Sequence, residues 1–139
     1  VSIPEIGTIA ARSKPVVFLT SNDTRDLSDA LKRRCLHLHI PFPSIDLEAR
    51  IVARRIPELQ DKLTDQLVRF VHALRELDLK KAPAISETID WARSLLLLHA
   101  DQLEPSLVHD TLNVLLKYEE DISTTEDQLG RLMKQLETL

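Results

Sequence analysis

The chain reads as mostly helical, with a short α/β segment at its start and a helical bundle after it. Three observations lead there. Only two glycines, Gly7 and Gly130, occur in 139 residues, too few for the tight turns of a many-stranded fold. The hydrophobic period changes at Ser44, from strand-like runs to a helical stripe. Beyond that point Pro57, Pro83 and Pro105 cut the chain into helix-length pieces.

The first segment holds two predicted strands. Val16, Val17, Phe18 and Leu19 form a continuous apolar run closed by Thr20-Ser21-Asn22-Asp23, the pattern of a strand buried on both faces. Leu36-His37-Leu38-His39-Ile40 alternates strictly and predicts a half-buried strand, ended by Pro41-Phe42-Pro43. Between them Ser28 is placed to cap a short helix, with Asp29 in its first turn and Lys32, Arg33 and Arg34 in its last. Two strands cannot bury their faces alone. They require sheet partners from elsewhere, most simply from residues upstream of Val1, where the chain opens in mid-pattern.

Five helices are predicted after Ser44. The first runs from Ile45 to Ile56. The second, from about Lys62 to Leu79, carries the stripe Leu63, Leu67, Phe70, Val71, Leu74 and Leu77. Ser86 with Glu87 predicts the start of the third, which includes Trp91, Leu95 and Leu98. Pro105 opens the fourth. Ser123 with Glu126 is a capping-box pattern before the Leu129, Leu132, Met133, Leu136 and Leu139 stripe of the fifth. The division is therefore residues 1–43 (part of an α/β core), 44–121 (a helical domain) and 122–139 (a terminal helix packing on that domain or on a partner).

Composition narrows the function classes. Apolar residues are 43% of the chain and charged residues 29%, ordinary values for a globular protein with its own core. Cys35 is the single cysteine, which excludes an internal disulfide and predicts a cytoplasmic home. No run approaches the ~20 apolar residues that span a bilayer. Net charge is −4, and residues 46–139 hold twelve Lys/Arg against eighteen Asp/Glu. That balance argues against nucleic acid as a partner. His37 and His39 share one strand face, but no third ligand lies close in sequence, so no metal site is predicted.

Asn22 closes the first apolar run, and about ten residues later comes Leu31-Lys32-Arg33-Arg34-Cys35. With the second strand and the helices that follow, this resembles the second half of an AAA+ ATPase module, from the sensor-1 strand through the lid. The wording is most similar to the MoxR branch: Ile3-Pro4-Glu5-Ile6-Gly7-Thr8, then TSNDTRDLSDALKRRC over residues 20–35, then LKKAP over 79–83 and ETIDWA over 87–92. The likeness extends to about Asp121, and TSN…LKRRC is its most specific part. It implies that 1–43 is the end of a P-loop NTPase core and 44–121 the lid.

The resemblance also implies roles. Asn22 is the sensor-1 residue that poises the attacking water; read without it, Asn22 is a strand-end residue bonding its own backbone. Arg33 or Arg34 is the arginine finger that reaches the nucleotide of a neighbouring subunit; otherwise both complement the helix C-terminus. Near the start of the third lid helix, where many AAA+ modules carry a sensor-2 arginine, this chain has Thr88. Arg93 stands further along, and Lys80 and Lys81 just before, as substitutes able to reach a phosphate. Surface charge is the plain alternative for these three.

No G-x-x-x-x-G-K-[ST] occurs, so the backbone cradle for β- and γ-phosphates is missing. The expectation is thus a fragment of a MoxR-like ATPase that uses ATP and Mg²⁺ only as the full-length protein and is inactive alone. Its implied partners are neighbouring subunits of a homo-oligomeric ring, commonly a hexamer, and an unknown client protein that the ATPase remodels or helps to mature. Two other readings stand beside it: a free-standing helical interaction module that binds a partner through the leucine-rich last helix, and an AAA+ module outside the MoxR branch, such as a clamp-loader-like or restriction-helper ATPase.

Overall fold

A computed structural model of the chain describes residues 2–4, 7–8, 13–21 and 27–137. The chain divides into two units, Val1–Ile40 and Pro41–Leu139.

In the first unit, β1 (Ser2–Ile3) pairs antiparallel with β2 (Gly7–Thr8), with Ser2 opposite Thr8 and Ile3 opposite Gly7. Gly7 has φ 84°, a left-handed conformation that glycine takes without strain. Neither predicted strand forms. Residues 14–21 and 36–40 carry no sheet pairing, and Phe18 and Leu36 are 89% and 102% exposed. The physical reason is that a strand is made by its neighbour. Without a partner ladder, backbone groups stay with water and the apolar side chains have nothing to cover them. The one-turn helix α1 spans Asp29–Lys32. Its Ser28 occupies the N-cap position without a side-chain cap bond. Arg33 and Arg34 follow the helix rather than belonging to its last turn: Arg33 is the C-cap, and Arg34 Nη1 donates to the Ala30 carbonyl at 3.2 Å.

The second unit is a five-helix bundle: α2 (Ile45–Arg55), α3 (Asp61–Arg75), α4 (Ile85–Leu97), α5 (Pro105–Leu115) and α6 (Glu119–Glu137). Ser44 caps α2 by accepting from the Leu47 amide at 3.3 Å, and Arg54 and Arg55 suit the helix C-terminus. Helix α3 is central, packing on α2, α4 and α6. Its Leu63, Leu67, Phe70, Val71 and Leu74 are fully buried, as their i, i+4, i+7 spacing requires. Trp91 of α4 is also fully buried, with its ring 5.5 Å from that of Phe70. Its indole Nε1 donates to Thr111 Oγ1 at 2.8 Å, so the one polar atom of the ring is satisfied inside the core.

Three element ends differ from the sequence reading. Helix α3 stops at Arg75, leaving Leu77 and Leu79 to pack from the following loop. Ala84 is the N-cap of α4, and Ser86 lies in the first turn, donating instead to Glu87 Oε2 at 2.7 Å. Helix α6 starts at Glu119, so Ser123 is interior and the predicted boundary between 121 and 122 falls inside one helix. Asp121 explains the early start. Its buried carboxylate accepts from the amides of Lys80 at 2.8 Å and Lys81 at 3.2 Å, and this contact requires the first turn of α6 to sit under the α3–α4 loop. Leu132 is buried in the common core, with Leu129, Met133 and Leu136 packed against it. The described part of the leucine stripe of the last helix thereby packs on its own bundle, and Leu139 lies outside the described residues.

Candidate functional site

Asn22 lies outside the described residues. Arg33 and Arg34 are exposed, their guanidinium groups open to solvent beside α1. Lys81 donates its backbone amide to Asp121, and its Nζ stands 3.7 Å from Glu87 Oε1. Arg93 is exposed and pairs with Asp90 at 3.3 Å on its own helix. Lys80 pairs with Glu120 at 2.6 Å. Thr88 is fully buried, its hydroxyl donating to Glu48 Oε1 at 2.8 Å. Lys81, Thr88 and Arg93 are thus each engaged with a different partner. Thr88 and Arg93, five residues apart, point about 140° from each other around α4.

Following Thr88 inward leads to residues that sequence reasoning missed. Glu48 of α2 is fully buried, and the side chains of Arg75 and His72 on α3 are 7% and 22% exposed. Arg75 grips the carboxylate with both arms, Nη1 to Oε2 at 2.6 Å and Nη2 to Oε1 at 2.8 Å. His72 Nε2 lies 2.9 Å from Oε2; since a carboxylate only accepts, that nitrogen carries the hydrogen. With Thr88 on Oε1, each carboxylate oxygen takes two donors, so its acceptor positions are filled. Arg75 Nε donates to the Pro83 carbonyl at 2.8 Å, and the Phe42 ring covers the guanidinium, 4.3 Å from its carbon. One ion pair therefore ties together α2, α3, α4, the loop before α4 and the segment before α2.

The saturation decides what the cluster does. No lone pair of Glu48 is left for a ligand or for a proton in transit. Burial alone pushes this carboxyl up, but hydrogen bonds from Arg75 and Thr88 and the charges of Arg75 and His72 outweigh it, holding Glu48 below its ordinary 4.5. A depressed carboxyl stabilises the fold above its unfolded pKa, and the stabilisation is lost as pH falls through the lower folded value. Thermal melts are therefore expected to show stability falling as pH is taken below about 4.5. The Glu48→Leu/Arg75→Met variant should lose much of that slope, keeping the part due to Glu87, which is also held low.

A signal for the cluster existed in the sequence. Arg75 continues the row Val68, Val71, Arg75 at helical spacing, and Val68 and Val71 are fully buried. A charged residue on a buried row requires a counter-charge, but nothing local identifies Glu48, 27 residues away.

Among the described residues no group of three His, Cys, Asp or Glu side chains is placed to hold a metal ion. Among the described residues no helix is long and apolar enough to cross a membrane. No protein-family model matches the chain, and the searches of curated proteins and of solved structures found no match.

Proposed function

We propose that the chain is the sensing and lid portion of a MoxR-like AAA+ ATPase module, and that the complete protein couples ATP hydrolysis to remodelling or maturation of a client protein. One observation carries the reading. Two strand-type apolar segments, 16–19 and 36–40, lie exposed before and after α1 in the sequence, and Arg33 and Arg34, which follow that helix, are exposed as well. Large apolar residues gathered in two such runs mark surfaces that another element covers, and a sheet supplied by a phosphate-loop core fits that need. The TSN…LKRRC wording supports the same assignment.

The chain's own residues fit part of a nucleotide site. The exposed guanidinium forks of Arg33 and Arg34 match phosphate oxygens, and Asn22 follows the first apolar run. The phosphate cradle and the Mg²⁺ ligands belong to residues outside this chain. Thr88 is committed to Glu48, which leaves Lys80, Lys81 and Arg93 among the exposed cations of the lid able to turn toward a phosphate. Ring assembly in the cytoplasm follows from the same reading.

The test is direct. Residues 1–139 alone are expected to show no ATP hydrolysis above background, and clear turnover would sink the proposal. The complete protein, expressed from its full reading frame, should carry a G-x-x-x-x-G-K-[ST] upstream of Val1 and hydrolyse ATP; a frame without that motif overturns the reading.

A further inference from the structure

Pro41, Phe42 and Pro43 lead into the Ser44 cap of α2. Among the described residues none of the three forms a hydrogen bond or an ion pair, and the two prolines have no N–H to give. One specific interaction joins the segment to the bundle. The Phe42 ring lies over the Arg75 guanidinium, whose carbon stands 4.3 Å from the ring centroid. Phe42 is nonetheless 51% exposed, so the ring rests on the surface of the bundle rather than inside its core.

The platform under the ring does not depend on the ring. Arg75 is fixed by Glu48 at 2.6 and 2.8 Å and by the Pro83 carbonyl at 2.8 Å, so its guanidinium stays in place whether or not Phe42 covers it. The segment itself is stiff. Proline fixes its own φ and restricts the residue before it to extended backbone, which constrains Ile40 and Phe42 as well as Pro41 and Pro43. A stiff segment loses little freedom when it docks and swings as one piece when it leaves, with Ser44 as the pivot. A ring on a partly exposed guanidinium contributes a bias of roughly twofold to thirtyfold toward docking. That favours the docked state and keeps it reversible.

We propose that Pro41-Phe42-Pro43 is a releasable strap, with Phe42 as the latch and the Arg75 guanidinium as its catch. With the ring docked, the chain enters α2 from one fixed direction. With the ring released, residues 41–43 swing about Ser44 and the Arg75 side chain, 7% exposed in the docked state, opens to water. Arg75 thus serves two partners, the buried Glu48 carboxylate and the strap. The proposal concerns the second unit alone and stands whether or not the protein binds nucleotide.

The test is backbone and side-chain NMR of the isotope-labelled full chain. In the wild type the amides of Ile40 and Phe42 are expected to approach the order parameter of about 0.85 that marks rigid backbone. The Arg75 side-chain protons should carry an upfield ring-current shift. Phe42→Ala should drop the amides of residues 40 and 42 below about 0.6 and remove that shift, while the amides of α3 keep their values and the melt followed by circular dichroism moves by only a few degrees. Phe42→Leu keeps an apolar side chain without a ring face and should resemble Phe42→Ala. Phe42→Trp presents the aromatic face that cations bind best and should keep the strap docked. Order that survives Phe42→Ala would mean that the prolines alone fix the segment, and order that survives Phe42→Leu would assign it to apolar packing. Either result overturns the latch, as would wild-type amides as mobile as those of Phe42→Ala. Unfolding of the bundle in both Phe42→Ala and Phe42→Leu would make the ring part of the core and overturn it too.

Discussion

Replacing Arg75 with alanine is expected to destabilise the helical bundle by about 3–5 kcal/mol, the range for removing one partner of a buried ion pair. For a unit of this size that is a Tm drop of roughly 12–25 °C. The loss follows from what stays behind. Glu48 has no exposed surface and loses the two Arg75 contacts at 2.6 and 2.8 Å. Thr88 and His72 cannot neutralise a buried carboxylate as a guanidinium does. The Pro83 carbonyl and the Phe42 ring lose their partner in the same step. Arg75→Lys keeps a charge but not the fork, so it should recover only part of the loss. Glu48→Gln places an amide NH₂ against the donors of Arg75, Thr88 and His72, so it also costs stability although the shape is kept.

The decisive comparison is Glu48→Leu/Arg75→Met. Removing both charges together avoids the uncompensated ion, and apolar replacement of a buried pair is often neutral or better. Thr88 keeps an acceptor in the Ala84 carbonyl at 3.2 Å. The double variant should therefore recover most of what Arg75→Ala loses. Thermal or urea melts of the variants decide the matter. Equal losses for the single and the double variants would mean that packing, rather than charge pairing, sets the role of Arg75.

This cluster marks where sequence reading reaches its limit. The core stripe of α3 was legible because helical spacing is local: Leu63, Leu67, Phe70 and Leu74 identify their own face. Pro105 at the start of α5 was legible for the same reason. The starts of α4 and α6 were misplaced because a capping pattern is only a local preference. Asp121, bonded to the amides of Lys80 and Lys81, supplied a tertiary reason for α6 to begin earlier. Strand patterns at 16–19 and 36–40 are plain in the sequence, yet pairing needs a second chain segment. The Glu48–Arg75 pair also joins distant residues, and its acidic half resembled an ordinary first-turn carboxylate. Thr88 stands where the resemblance places a nucleotide-sensing residue, and its hydroxyl goes to the buried Glu48 carboxylate across the bundle.

For the proposed ATPase, Arg33→Ala together with Arg34→Ala in the complete protein is expected to lower hydrolysis by ~10³–10⁵-fold, the range for loss of an arginine finger. Nucleotide affinity should be largely kept. The separation follows from geometry and charge. A finger acts on charge developing as the terminal phosphoryl group transfers, so its removal falls on the rate. A group that merely completed the fold would affect binding and hydrolysis together. Both arginines are exposed, and the side-chain hydrogen bond of Arg34 to the Ala30 carbonyl joins an arginine to its own turn. Removing them should therefore cost little stability, and Tm is expected to stay nearly unchanged. Single variants then identify the residue that reaches the neighbour: one should reproduce the loss of the pair, and the other should leave hydrolysis near wild type. Lysine at the finger position should rescue poorly, because a point charge does not replace a planar fork. Mixing the inactive pair variant with a subunit whose phosphate loop is disabled should restore partial activity, since each supplies what the other lacks across an interface. Failure of every mixture to recover hydrolysis would argue that the pair acts within its own subunit.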